Sequence, residues 1–148
     1  MLRMANPDHL ARLRAGGWNA WRVANPTLAP DLIDADLEGA DLHDLDLRKA
    51  HLRNARLGGA NLQGADLSRA TVDGASFSGA RLAGATLDHV RLDFLDLSRL
   101  DLSNASLQGA SFRGANLAGA SLRNCDLTQA QLESALFDNA DLTGANLV

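Results

Sequence analysis

From Leu32 to Leu147 an apolar residue returns at every fifth position, with no insertion or deletion. Of these 24 positions, 20 are Leu and the others are Val72, Phe77, Phe112 and Phe137. Two residues earlier, from Ala35 onward, 18 of 23 positions are Ala; the exceptions are Leu45, Val90, Leu95, Leu100 and Cys125. A period of five suits neither regular element. On an α-helix a step of five advances about 140° and spreads the leucines around the cylinder. On a strand an odd period sends successive leucines to opposite faces. The chain must therefore turn within each five residues, so that every Leu again points inward. The Ala shares the Leu's side of a short extended piece, and its small size lets the walls come close.

The polar positions agree with this reading. The residue before each Leu is Asp, Asn, Ser or Thr in 18 of 24 cases. These side chains form local hydrogen bonds to backbone. The residue two after the Leu is Gly or Asn in 14 of 23 cases, and these tolerate the positive φ of tight turns. The pattern predicts an extended piece, a turn, and repetition.

This A-(D/N)-L-x-x pattern resembles the pentapeptide-repeat family, over about 118 of the 148 residues. The resemblance implies an all-β solenoid, a right-handed quadrilateral β-helix in which four repeats make one 20-residue coil with Leu ladders inside. It implies about six coils, a column roughly 29 Å long at the usual strand spacing. Residues 1–30 then form a short N-terminal helical cap and residues 31–148 the β-helix. The leader is also similar to one that precedes such repeats, through Gly17, Trp18-Asn19-Ala20-Trp21-Arg22, Pro26 and Pro30-Asp31-Leu32.

The leader's own residues predict two helices. Asn6-Pro7-Asp8 offers an N-cap, a proline at the first helical position and an acid in the first turn. The helix runs to about Ala15 and stops at Gly16-Gly17. A second runs from about Trp18 to Ala24 and ends at Asn25-Pro26. Both tryptophans of the chain lie here, and the apolar end of the Leu/Ala column is the surface they are expected to cover.

Folding the sequence by twenties places Phe77 and Phe137 on one side, three coils apart. It gathers Val90, Leu95 and Leu100 into the fourth coil, where the shaft is expected to widen or shift. Phe94 is an outward aromatic in that coil, and Leu136 another outward apolar residue. Such sites are either tolerated drift or a contact surface. On the second reading Phe94, with Arg91, Asp93 and Arg99, is a candidate interaction surface.

The net charge of −4 is too small to indicate a nucleic-acid or membrane-surface binder. Its distribution is uneven. Residues 1–30 carry Arg3, Arg12, Arg14 and Arg22 against Asp8; residues 31–50 carry Asp31, Asp34, Asp36, Glu38, Asp41, Asp44 and Asp46 against Arg48 and Lys49. Leader and first coil either pack with complementary charge or leave an acidic patch, for which Asp36, Glu38, Asp41 and Asp44 are candidates. The start lacks the apolar run of a secretory signal, and no stretch has the apolar length of a membrane span. A single cysteine excludes an internal disulfide framework. These features lead us to expect a cytoplasmic protein.

No catalytic constellation is present. His9, His43, His51 and His89 are scattered in sequence and phase, and Cys125 stands at an inward site. No metal-ligand spacing or phosphate-cradling loop occurs, so no cofactor, metal or enzymatic activity is expected. The expected function is a non-enzymatic structural or protein-interaction module that presents flat faces to a protein partner, without direct nucleic-acid or membrane binding. The alternative, implied by the resemblance, is a DNA-mimicking modulator of a type II topoisomerase (gyrase). Two features depart from it: beyond residue 50 there are 10 acids against 8 bases, and no helical segment follows the repeat. The open edge of the last coil predicts a homodimer through the uncapped C-terminal coil.

Overall fold

The computed structural model describes residues 4–148. Two helices lead the chain, α1 (Pro7–Ala15) and α2 (Trp18–Ala24). Asn6 caps α1 through its side-chain oxygen, which accepts from the N–H groups of Asp8 and His9. Gly16 and Gly17, both at positive φ, separate the helices.

The rest of the chain pairs with itself in parallel at a separation of 20 residues, so each circuit of four repeats lies on the one before. Four ladders result. Ladder A runs Asp31, His51, Thr71, Arg91, Ser111, Gln131. Ladder B starts at Asp36, ladder C at Asp41 and ladder D at Asp46. We take coils 1 to 6 as residues 30–49, 50–69, 70–89, 90–109, 110–129 and 130–148.

The repeat's physics is the same at every corner. The N–H of each inward small residue donates to the carbonyl of the Leu-site residue three before it, closing a β-turn. The third residue of all these turns, from Asp34 to Gly144, has positive φ, including 13 that are not glycine. The sequence marks only the glycine and asparagine turns as left-handed; the ladder imposes that conformation on the others as well. Between turns, N–H and C=O groups bond to the neighbouring coils, and the Leu-site side chains fill the shaft. Phe77 and Phe112 are buried there in place of leucine. In the last coil Leu132, Phe137 and Leu142 are partly buried and Leu147 is exposed.

Coil 1 has no preceding coil, so its ladder groups need other partners. The cap supplies them. Asn6 N–H donates to the Asp31 carbonyl at 3.0 Å, and His9 Nδ1 accepts from Asp31 N–H at 2.9 Å. Trp18 Nε1 donates to the Asp46 carbonyl at 2.8 Å. Asn19 donates to the Asp44 carbonyl and accepts from Asp46 N–H. The two tryptophan rings stand 4.9 Å apart, Trp21 meets His9 at 5.1 Å, and Arg12 lies 5.6 Å over Trp21.

Arg22 locks this cap. It is only 1% exposed. Its guanidinium donates to the carbonyls of Asn25, Leu28 and Arg48. Its Nε lies 3.6 Å from the Asp46 carboxylate, an ion pair too long to be a hydrogen bond. Removing the guanidinium strands three part-buried carbonyls and takes away the charge facing Asp46. We expect Arg22→Ala to cost about 3 kcal/mol in urea unfolding. A loss below about 0.5 kcal/mol, the level of a surface change, would rule out this role.

Asp46 gives a second test. Bonds from Arg48, with Arg22 nearby, hold its carboxyl below the usual 3.8. Its contribution to stability is therefore complete above that pH and is lost as pH falls through the lowered value. The stability difference between the native chain and Asp46→Asn should be constant from neutral pH down to about 5 and shrink below 3.8. A difference independent of pH in denaturant titrations would contradict the linkage.

Candidate interaction surface

The inward small site borders the neighbouring coils. Its side chain leans toward the preceding coil: Cys125 Sγ lies 2.9 Å from the carbonyl of Leu102, one coil earlier. Burial pushes the Cys125 thiol up to about 11, so it is a packed, un-ionised group rather than a nucleophile. Alanine fits this space and leucine crowds it. The turn bond records the crowding. It measures 2.8–3.1 Å where the small residue is Ala, but 3.4 Å at Leu45, 3.3 Å at Leu95 and 3.4 Å at Leu100.

Three such residues in succession have a larger effect. At the other inner junctions the bonds from one coil's Leu-site and corner N–H groups to the next coil's carbonyls are made at 2.7–3.2 Å. Between coils 3 and 4 the N–H groups of Gly74, Phe77 and Gly79 make no close bond to Asp93, Asp96 and Ser98, and Asp96 N–H makes none to Ala75. Around Arg91 and Asp101 the return bonds are loosened rather than close. The residues that precede Arg91, Asp96 and Asp101 are Val90, Leu95 and Leu100. The parallel pairing survives at Thr71–Arg91 and Arg81–Asp101 but not at Ser76–Asp96. Solvent reaches the opening: Ala75 is 6% and Leu95 9% exposed, whereas Ala55 and Ala115 on the same side are fully buried.

Two clefts mark the place. One of about 240 Å3 is lined by Ala75, Ser76, Ser78, Asp96 and Ser98. A larger one of about 530 Å3 extends from Ser78 and Ser98 to Arg99, Leu100 and Asn116. Ser98, through its side chain and its N–H, holds the Asp96 carboxyl below the usual range. Ser76, Ser78 and Ser98 were not legible as surface candidates, because serine is ordinary at outward sites; the run Val90, Leu95, Leu100 was the available signal.

The fourth-coil residues singled out from sequence surround this opening. Arg91 donates to Asp73 at 2.7 and 3.0 Å, a side-chain tie across the loosened part of ladder A. Asp93 belongs to the opposite junction, where it accepts from Arg113 N–H at 3.0 Å and from the Ser111 hydroxyl. Arg99 is exposed, lines the larger cleft, and has no ion pair among the described residues. Phe94 sits at the corner between ladders A and B, 81% exposed, at φ 61°. Its ring lies over Gly114, where a Cβ would come within 2.7 Å of it.

The acidic candidates are elsewhere. Asp36 and Asp96 share ladder B three coils apart, about 14 Å along the axis. Asp44 lies at the corner between ladders C and D, across the shaft from Phe94's. The acids are also largely matched. Arg56 pairs with Asp36 at 3.3 Å and Glu38 at 2.7 Å. Arg14 donates to the Asp36 carbonyl at 3.3 Å. His43 meets Asp41, not the adjacent Asp44, at 2.8 Å, which lowers the carboxyl and raises the imidazole. The leader thus covers only part of coil 1, and Arg48 and Arg56 of the repeat do much of the pairing. A cavity of about 380 Å3 remains between α1 and coil 1, bounded by Leu13, Leu37, Leu42 and this acidic rim. Among the described residues no cluster of His, Cys, Asp and Glu could hold a metal ion, and no helix is long and apolar enough to cross a membrane.

The 20-residue pairing and the inward Leu columns find their counterpart in known proteins. The family of pentapeptide repeats matches in eight copies, over residues 31–69, 60–93, 96–133 and 115–148. The chain belongs to the pentapeptide-repeat family. The solved structures it matches are pentapeptide-repeat proteins, which fold as right-handed quadrilateral β-helices. HetL of the cyanobacterium Nostoc sp. strain PCC 7120, involved in heterocyst differentiation regulation, is 37% identical with a TM-score of 0.52, over 77% of this chain and 62% of HetL. The chain thus spans about three-fifths of HetL's length. Rfr23 of the cyanobacterium Cyanothece 51142 is 22% identical with a TM-score of 0.42, over 86% of this chain and 96% of Rfr23. Full-length QnrB1, a plasmid-mediated fluoroquinolone resistance protein, is 21% identical with a TM-score of 0.38, over 74% of this chain and 66% of QnrB1. No curated protein matches the chain significantly.

The junction between coils 3 and 4 has a direct signature. Amides without a ladder bond exchange with solvent faster than bonded ones. We expect the amides of Phe77 and Asp96 to exchange at least tenfold faster than their equivalents Leu57 and Asn116, a difference of about 1.4 kcal/mol in opening free energy. Equal protection by NMR-detected exchange would mean that the ladder is closed in solution.

Proposed function

We propose that this pentapeptide-repeat protein is a non-enzymatic interaction module whose contact with a protein partner centres on Phe94, flanked by Arg91 and Arg99. The supporting observation is Phe94 itself. A bulky residue at positive φ is costly, and most corner positions with that conformation hold Gly, Asn or another small or flexible residue. Phe94 is held in this conformation, and its ring is left in water. Nothing in the fold requires an aromatic there, whereas the centre of a protein interface favours one. The unpaired Arg99 and the adjoining clefts give the same corner polar groups and relief. DNA mimicry asks for an extended negative face. The pairing of Asp36, Glu38 and Asp46 with Arg48 and Arg56 leaves it without a supporting observation.

Stability and binding should separate at this position. Phe94→Gly relieves the backbone, and we expect it to stabilise the fold by about 1 kcal/mol. The same change should abolish capture of the partner from native lysate by the immobilised chain. Charge reversal of Asp36, Glu38, Asp41 and Asp44 together should leave capture intact. The reading fails if Phe94→Gly retains the full set of captured proteins, or if only the charge reversal loses them.

A further inference from the structure

The opening between coils 3 and 4 is one-sided. Ladder B has lost its pairing and ladder A keeps only a loosened pairing at Thr71–Arg91, but on ladder C Leu82 N–H still meets the Asp101 carbonyl at 3.2 Å and Gly84 meets Ser103 at 2.8 Å. On ladder D Leu87 meets Ser106 at 2.7 Å, His89 meets Gln108 at 2.9 Å, and Ser106 N–H meets the Ala85 carbonyl at 3.0 Å. The side that still holds thus runs from ladder C through the C/D corner and ladder D to the corner where His89 lies. Diagonally across the shaft from the C/D corner, on the side that has opened, is the corner that carries Phe94. The inward residues explain the asymmetry. Val90, Leu95 and Leu100 precede the three rungs whose return bonds are missing or loosened, while alanine at 105 precedes the rung that keeps its bond.

We propose that this junction is a hinge. The cap with coils 1–3 forms one body and coils 4–6 the other. The two rock about the C/D corner, so the angle between them sets the shape of the surface around Phe94. The inference rests on the reading of that surface as the partner's contact, because a partner that fits one angle is what would select it. At every other inner junction, rocking would break ladder bonds on whichever side opened. Here the opening side has no ladder-B pairing and only a loosened one at Thr71–Arg91, and the Arg91–Asp73 pair that spans it is exposed, the weakest class of ionic tie. Full closure is opposed by the volume of three wedged side chains. A hinge needs such a combination of a retained edge and an unbonded face. Any partner that binds one angle more tightly shifts the population toward it, and a change that fixes the angle alters the partner's affinity by the same factor.

The test is a pair of distances across the junction in the full chain, with Cys125→Ala removing the native thiol. Spin labels at Glu38→Cys and Asp138→Cys span it on the opening side. Labels at His43→Cys and Thr143→Cys span it on the hinge side. All four positions are exposed. Pulsed electron resonance is run on this chain and on the same chain carrying Val90→Ala, Leu95→Ala and Leu100→Ala. We expect the 38/138 distribution to be broad, with a component longer than in the triple variant. The 43/143 distribution should be the same in both. If the triple variant does not fold, the single Leu95→Ala variant replaces it, and the width of 38/138 against 43/143 in the chain with its native core remains a reading on its own. One narrow 38/138 peak, unchanged by wedge removal, overturns the hinge, as does equal broadening on both sides. No readout here involves a partner. A narrow peak with capture still dependent on Phe94 removes the hinge and keeps the surface. A broad one with capture indifferent to Phe94 does the reverse.

Discussion

Every coil depends on one bond, the N–H to C=O contact between a residue and its counterpart one circuit away. That bond forms only if successive coils approach to strand spacing, and the inward residue two before each Leu is packed against the coil before it. A methyl group there is compatible with the bond. Cys125 is also tolerated, since its sulfur contacts a carbonyl of the preceding coil. A leucine holds the backbone off. Coil 1 carries its own leucine, Leu45, without penalty to the ladder, because no coil precedes it and its bonds to coil 2 are intact. The same residue type in coil 4 lies against coil 3, and there the ladder opens.

The cap follows from the same requirement. Coil 1 would otherwise present bare ladder groups and the apolar end of the shaft. Helices cannot extend a β-ladder, since their own backbone groups are committed to internal bonds. The leader therefore meets coil 1 mainly with side chains. An indole, an amide, an imidazole and a guanidinium reproduce the donors and acceptors of a missing coil. Packing alone would allow other aromatic or aliphatic residues at these positions; the hydrogen bonds select Trp18, Asn19 and Arg22.

Much of this was legible in the sequence, because a five-residue period with small and large inward sites admits few solutions. The helix boundaries in the leader, the inward Leu columns and the place of the fourth-coil irregularity could all be read from residues. The opening itself was not legible. Its place at the junction with coil 3 rather than with coil 5 depends on the direction in which an inward side chain leans, which is a property of the closed coil. Nor could the pairing of the acids be read. Arg56 lies 20 residues from Asp36 and 18 from Glu38, and only the circuit length brings them together.

The left-handed corners have a consequence for how much these edges can display. A corner side chain projects over the corner of the following coil, as Phe94 does over Gly114 and His89 over Gly109. Each of these two rings fills the space that a side chain would need one circuit downstream, and a glycine stands there. Short or flexible residues can follow one another directly, as Asn54 does beneath Asp34 with a bond of 3.0 Å and as Lys49 and Arg69 do. The four edges of the prism are thus directional rows in which a rigid ring suppresses its neighbour on one side only.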